Sequence, residues 1–351
     1  MSFKEIWGQE KALNILKNAL QSGRLAHAYL FVGPDGVGKR LTAFNLGKAL
    51  NCLTPPHIGD CCDQCASCQK FNAGTHPDLI FTEPAGEVIK IGQLRDLQTR
   101  LRFRPWEGKA RICILEAAES MNEEAANAFL KTLEEPPADT YFFLITSRPH
   151  MLLPTILSRC QWVKFQSLSQ EIIARILIEK HSLPQDRAFF LSALGEGSVS
   201  RALIFSQSLE FSKRLEWLKM LDTLPIKSFR EISAFSEELA RNEQINDLLE
   251  LWKIWVRDLA LCKIRAEKTE NFKLALINHD LEEQINGEAQ QYSWSDLDFL
   301  FKRLVQGQKT IQYKVNPQLV LENLMLHIQK NLKGRRPANH SVSWPKETER
   351  K

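Results

Sequence analysis

Along the first 165 residues, short apolar runs alternate with segments whose apolar positions recur at helical spacing. Ala28–Val32, Leu79–Phe81, Arg111–Leu115 and Tyr141–Thr146 read as strands, each bounded by turn residues. Between them lie helices. One follows a glycine-rich turn and carries Ala43, Leu46, Ala49 and Leu50 on one side; others span Gln93–Arg104 and Met121–Glu135. Ser120 with Glu123 three residues on reads as a capping box for the last of these, and Pro136-Pro137 stops it. Strands alternating with helices predict an α/β fold whose parallel sheet is covered on both faces.

After Phe165 the strand signals fade. Helical patterns cover Glu171–His181 and Arg187–Leu194, followed by a Gly195-Glu196-Gly197-Ser198 break. Beyond residue 206 the chain reads as helical. Leu248, Leu251, Trp252, Trp255 and Leu259 mark one stripe, and a helix opens at Asn316-Pro317 with proline in its first turn. Residues 333–351 are polar and read as a disordered tail.

The composition changes this picture little. The chain has 351 residues, 25% charged and 44% hydrophobic, with a net charge of +4. That length suits two or three domains, and that charge is too small to argue for nucleic acid. No apolar run reaches the ~20 residues of a membrane span, and the first residues lack a signal-peptide stretch, so a cytoplasmic location is expected. Arg95, Arg100, Arg102 and Arg104 read as a solvated helix face, with approach to DNA phosphates as the alternative.

Three stretches carry chemistry. Gly33, Gly36, Gly38 and Lys39 stand in the phosphate-loop pattern G-x-x-x-x-G-K, after a strand and before a helix. Such a loop turns backbone N–H groups onto phosphates and adds a lysine. ATP or ADP is the expected ligand. The next residue is Arg40, where a Ser or Thr hydroxyl would ligate Mg²⁺. A guanidinium cannot ligate a cation, although it can neutralise phosphate charge. Thr42 sits too far round the helix to substitute. At the end of the third strand, Glu116 is followed by Ala117, where a water-activating carboxylate would be needed. Glu119 reads as a helix-start residue. Both losses point to binding with little or no hydrolysis.

Five of the eight cysteines fall between residues 52 and 68. Cys52, Cys62, Cys65 and Cys68 give two successive C-x₂-C steps plus a fourth thiol, the donor set of a closed structural Zn²⁺ site. Cys61 and His57 are alternative ligands.

The stretch Asn127–Pro137, the helix around Thr155-Ile156-Leu157 and the turn Ser158-Arg159-Cys160 complete a set. Together with Trp7–Glu10, Ala26–Phe31, the phosphate loop and the cysteines, they resemble the clamp-loader branch of AAA+ proteins. The resemblance implies an AAA+ P-loop domain over residues 1–165 with an inserted zinc knuckle at 52–68. It further implies a small helical lid domain at 166–205 and an all-α collar at 206–332. It implies that Arg159 is an arginine finger acting in trans, and that Thr146 and Ser147 occupy the nucleotide-sensing end of the fourth strand. Arg201 is one residue off the register of the family's second sensor. The expected partners are the ATPase (gamma/tau) and delta subunits of the bacterial DNA polymerase III clamp loader, in a five-subunit ring. Through that ring it would meet the sliding clamp and primer–template DNA. Two other readings stand beside this one: an ATP-hydrolysing gamma/tau-type subunit, and a zinc-stabilised AAA+ scaffold outside replication.

Overall fold

The computed structural model describes residues 3–57, 59–208, 213–242, 244–267, 276–313 and 315–332. The expected tail at 333–351 lies outside the described residues. The chain forms two compact units: one of Met1–Leu183 with Gly195–Arg201, the other of Pro184–Leu194 with the chain from Ala202 onward. The stretch 166–205 contributes to both.

The first unit is built on five parallel strands: β1 (Ala28–Val32), β2 (Leu79–Thr82), β3 (Arg111–Leu115), β4 (Thr140–Thr146) and β5 (Gln161–Lys164), in the order β2-β3-β4-β1-β5. The four expected strands are present. β5 is an addition. Of its residues only Val163 is buried, so it lacks the apolar run that marks the others. Backbone pairing of Tyr29–Val32 with Gln161–Lys164 holds it as an edge strand.

Helices α1 (Glu10–Gln21), α2 (Lys39–Asn51), α3 (Ala66–Asn72), α4 (Ile91–Leu101), α5 (Glu123–Glu134), α6 (Pro154–Leu157) and α7 (Gln170–His181) complete this unit. Leu94, Leu97 and Leu101 of α4 and Ala125, Phe129 and Leu133 of α5 pack on Ile80, Cys113, Phe142 and Leu144 of the sheet. The helix at 123 is not capped as expected. Ser120 closes a 3₁₀ turn, and the Asn122 side chain accepts the Ala125 N–H instead. That inserted turn moves the helix start beyond the reach of Ser120.

α9 (Val199–Ser208) begins in the first unit and ends in the second. The second unit is helical: α8 (Gln185–Leu194), α10 (Arg214–Thr223), α11 (Phe229–Arg241), α12 (Ile245–Glu267), α13 (Glu282–Ala289), α14 (Trp294–Gln312) and α15 (Pro317–Asn331). α12 packs against α13 and α14, and α15 against α11 and α14. Its core holds Trp217, Trp252 and Trp255, and the Trp252 indole N–H donates to the Trp217 carbonyl at 2.8 Å. Asn316 caps α15 through the N–H groups of Gln318 and Leu319, as its Asn-Pro start predicts. No single helix among the described residues is long and apolar enough to cross a membrane.

Candidate functional site

β1 runs between β4 and β5 inside the sheet and delivers the chain at Val32 into the glycine loop, with α2 starting at Lys39. Gly36 and Gly38 hold left-handed backbone, φ 73° and 100°, which only glycine adopts freely. A Cβ on Gly33 would lie 2.4 Å from the Phe165 carbonyl oxygen, and one on Gly36 would lie 2.3 Å from Ser198 Oγ. Both neighbours belong to this unit, and Val199 N–H donates to the Gly36 carbonyl at 3.0 Å. The buried Lys39 ammonium donates to the carbonyls of Gly33 (2.5 Å) and Pro34 (2.7 Å) and to Asp35 Oδ1 (3.2 Å).

Arg40 turns toward the sheet edge. Its guanidinium lies over the Phe81 ring at 4.1 Å and 5.8 Å from the Phe44 centroid. The Thr42 hydroxyl is fully buried and donates to the Gly38 carbonyl at 2.8 Å, which keeps it inside the helix.

Beside the loop is a cleft of about 430 Å³ lined by Asp35, Glu116, Glu119, Thr146, Ser147 and Arg148. Burial pushes the Glu116 carboxyl up, against the opposing charges of Arg40 and Lys39, and its Oε2 has no hydrogen-bond partner among the described residues. Ala117, the second residue after β3, occupies left-handed backbone at φ 47° and offers only a methyl group. Glu119 lies in the 3₁₀ turn rather than capping α5, the role its place in the sequence suggests. Its side chain folds into the cleft, where Ser147 Oγ donates to its Oε1 at 3.2 Å and Arg148 Nε lies at 3.5 Å. Burial raises its pKa, but hydrogen bonds from its own N–H, Thr146 and Ser147 outweigh that and hold the carboxyl below its ordinary value. Nothing in the local sequence pattern gave this orientation. The Thr146 side chain is fully buried at the β4 end, and its hydroxyl also accepts the Arg148 N–H at 3.0 Å.

At the other end of α2, Cys52 is the helix cap. The Sγ atoms of Cys52, Cys62, Cys65 and Cys68 all lie within 4.8 Å of one another. Tetrahedral Zn–S bonds of ~2.3 Å place sulfurs about 3.8 Å apart, so the donors fit a four-coordinate thiophilic cation with a small contraction. Backbone N–H groups already point at the sulfurs: Cys62 to Cys52 (3.4 Å), Cys65 to Cys62 (3.3 Å) and Cys68 to Cys65 (3.5 Å). Cys61 and His57 are outside this set. The buried Lys48 ammonium on α2 holds Asp63 at 2.5 Å and Asn72 at 3.0 Å, bracing the knuckle from behind.

Arg159 follows α6. Its guanidinium donates to Glu134 Oε1 on α5 at 2.6 Å and to the Thr155 carbonyl at 2.9 Å, leaving the side chain 34% exposed. The neighbouring Cys160 is buried in the core. Arg201 pairs with Glu196 at 2.5 Å.

Residues 8–169 match the family model described as DNA polymerase III, delta subunit. The match covers a little under half of the chain, and over these residues the chain is similar to that family. It is 39% identical over 176 residues to the DNA polymerase III subunit delta′ of Bacillus subtilis, covering 50% of this chain and 53% of that protein. To the subunit delta′ of Pseudomonas aeruginosa it is 47% identical over 137 residues, covering 38% and 42%. To the DNA polymerase III subunit tau of Salmonella typhimurium it is 38% identical over 207 residues, 58% of this chain and 32% of that one. The chain thus spans about half or less of the length of these relatives.

The delta-subunit family match contains the glycine loop, the four thiols, the acidic cleft and Arg159, and it ends at Ser169. The helical unit that begins at Pro184 lies outside it.

Proposed function

We propose that this chain is a clamp-loader subunit of the delta′ type that binds ATP or ADP weakly to moderately, does not hydrolyse it, and supplies Arg159 to a neighbouring ATPase subunit. The observation that carries this reading is a contrast between two places. The chain's own phosphate loop is followed by an arginine turned onto Phe81, and its strand end by Ala117, so the groups that hold Mg²⁺ and activate water are missing. Arg159, by contrast, is partly exposed and fixed at its base by Glu134 and Thr155. A guanidinium so held can stabilise charge on a phosphoryl group bound by another chain.

The rest of the proposal follows from the family. Residues 1–165 are an AAA+ module, 166–205 a lid and 206–332 a collar, and the chain joins gamma/tau and delta subunits in a cytoplasmic five-subunit ring acting on the sliding clamp and primer–template DNA. The four thiols hold structural Zn²⁺, which would tie the knuckle of 52–68 to α2. A gamma/tau-type hydrolase is the second reading. The identity to tau and the carboxylate of Glu119 in the cleft favour it; Arg40 and Ala117 oppose it.

The test is reconstitution with the ATPase and delta subunits. Arg159→Ala should leave folding, metal content and assembly intact and lower the ATPase and clamp-loading rates of the complex. Loss of a finger costs ~10³-fold or more at one site, and the whole assembly loses less because its other sites keep theirs. Unchanged loading by the assembled variant would remove the mechanistic half of the proposal.

A further inference from the structure

The surface along β2 is built of alternating cations and aromatic rings that neither the phosphate loop nor the metal site uses. β2 is an edge strand, paired only with β3 among the described strands. Two clefts lie along it. One, of about 460 Å³, is lined by Arg40, Phe44, Phe81 and Arg100; the other, of about 360 Å³, by Arg100, Ile80, Phe103 and Trp106. Pro77 and Arg100 belong to both, so they form one track.

Phe103 and Trp106 are 70% and 86% exposed, and they do not sit on a loose loop. The fully buried Asp78 carboxylate accepts the N–H groups of Trp106 (2.6 Å), Glu107 (2.8 Å) and Gly108 (2.7 Å). From the other side, the buried Arg111 guanidinium donates to the carbonyls of Arg100, Phe103 and Arg104 at 2.7–2.9 Å. Two buried charges therefore pin the backbone on either side of the rings. Holding large apolar rings in water on a fixed backbone gains nothing for the fold, and such patches mark binding sites.

The charges point to the occupant. Between residues 95 and 109, Arg95, Arg100, Arg102, Arg104 and Lys109 stand against two acids, Asp96 and Glu107, and Glu107 is already paired with Lys70 at 2.5 Å. The five cations are exposed, and their side chains make no ion pair or hydrogen bond with the described residues. Open ring faces interleaved with unpaired guanidinium groups match single-stranded nucleic acid, whose bases stack while its phosphates take the cations. A duplex keeps its bases stacked inside and offers the rings nothing.

We infer that the β2-edge track from Arg40 to Trp106 binds single-stranded nucleic acid, with Trp106 and Phe103 as base platforms and Arg100, with its exposed neighbour Arg102 on the flank, as phosphate contacts. This site is on the chain itself and does not depend on ring assembly or on Arg159. The test is fluorescence anisotropy of the full chain with labelled oligothymidylate, with duplex DNA of equal length and with labelled polyglutamate. Trp106→Ala should weaken oligothymidylate binding about tenfold, the loss expected of one stacked base, and leave duplex binding unchanged. Because Trp106 is so exposed, the variant should keep the wild-type unfolding midpoint. Arg100→Ala with Arg102→Ala should weaken binding and reduce the slope of log K against log salt by about 1.4, ~0.7 for each phosphate that one of these arginines neutralises. Equal oligothymidylate affinity for wild type and Trp106→Ala would overturn the inference. So would absence of binding at low salt, or tight polyglutamate binding without oligothymidylate binding, which would assign the track to an acidic polypeptide.

Discussion

Glu134 Oε1 on the last turn of α5 receives the Arg159 guanidinium at 2.6 Å. The contact joins residues 25 positions apart in sequence, and it fixes the direction of a half-exposed cation that would otherwise sample many rotamers. Glu134→Ala should therefore act as a milder Arg159→Ala. In the reconstituted assembly we expect an intermediate ATPase rate, and with Arg159→Ala already present the second change should add nothing. Additive losses in that double-mutant cycle would show that Glu134 does not work through Arg159.

Metal content is the most direct measurement. The purified chain should carry close to one Zn²⁺, and Cys65→Ser should lose it. The free energy of binding a structural zinc is folding free energy, so the variant should also be less stable by several kcal/mol. Cys61→Ser should keep the metal, because Cys61 lies outside the four-sulfur set. Elemental analysis finding no zinc in protein purified without chelator would refute the assignment.

Nucleotide binding and turnover should separate. Lys39→Ala removes a charge-assisted contact, which should weaken ATP or ADP binding about tenfold or more. The chain alone should hydrolyse no ATP. Turnover that vanishes in Glu119→Gln would instead make that buried carboxylate a working base.

In the second unit, burial pushes the Glu288 carboxyl up to about 8, with Asp222 adding to the rise and the Trp255 hydrogen bond opposing it. Its side chain is 3% exposed, and the Trp255 indole N–H donates to Oε2 at 3.1 Å. A raised carboxyl pKa means the folded chain keeps a proton that the unfolded chain releases near pH 4.5. This group's contribution is then complete below pH 4.5 and is lost as pH rises toward about 8, by at most ~1.4 kcal/mol per unit. Glu288→Gln keeps an acceptor for Trp255 and cannot ionise, so its unfolding midpoint should fall less between pH 5 and 8. Parallel midpoint curves for the two proteins would exclude the effect.

Where the sequence was legible, one physical signal dominated. β1, β3 and β4 are continuous apolar runs because both their faces are covered, and the cysteine spacing alone brings four thiols within reach of one another. β5 was hidden because a polar strand can be held by backbone pairing alone. Asn122 displaced Ser120 as the helix cap because a 3₁₀ turn intervened, and such a turn leaves little trace in residue spacing. The direction of a side chain was least readable. Glu119 turned into the cleft and Arg40 onto Phe81, both decided by neighbours from distant strands. The pinning of Trp106 by Asp78 spans 28 residues and carries no periodic signature.

α2 has the phosphate loop at its first residue and one of the four clustered thiols, Cys52, as its final cap. Its 13 residues make one rod of ~20 Å. The two sites therefore share a single helical support. If metal loss unwinds α2 as far as Lys39, linkage runs both ways: metal occupancy raises phosphate affinity, and nucleotide tightens metal binding by the same free energy. A chelator would then act as a remote inhibitor of the phosphate loop, reaching it through nothing but the helix.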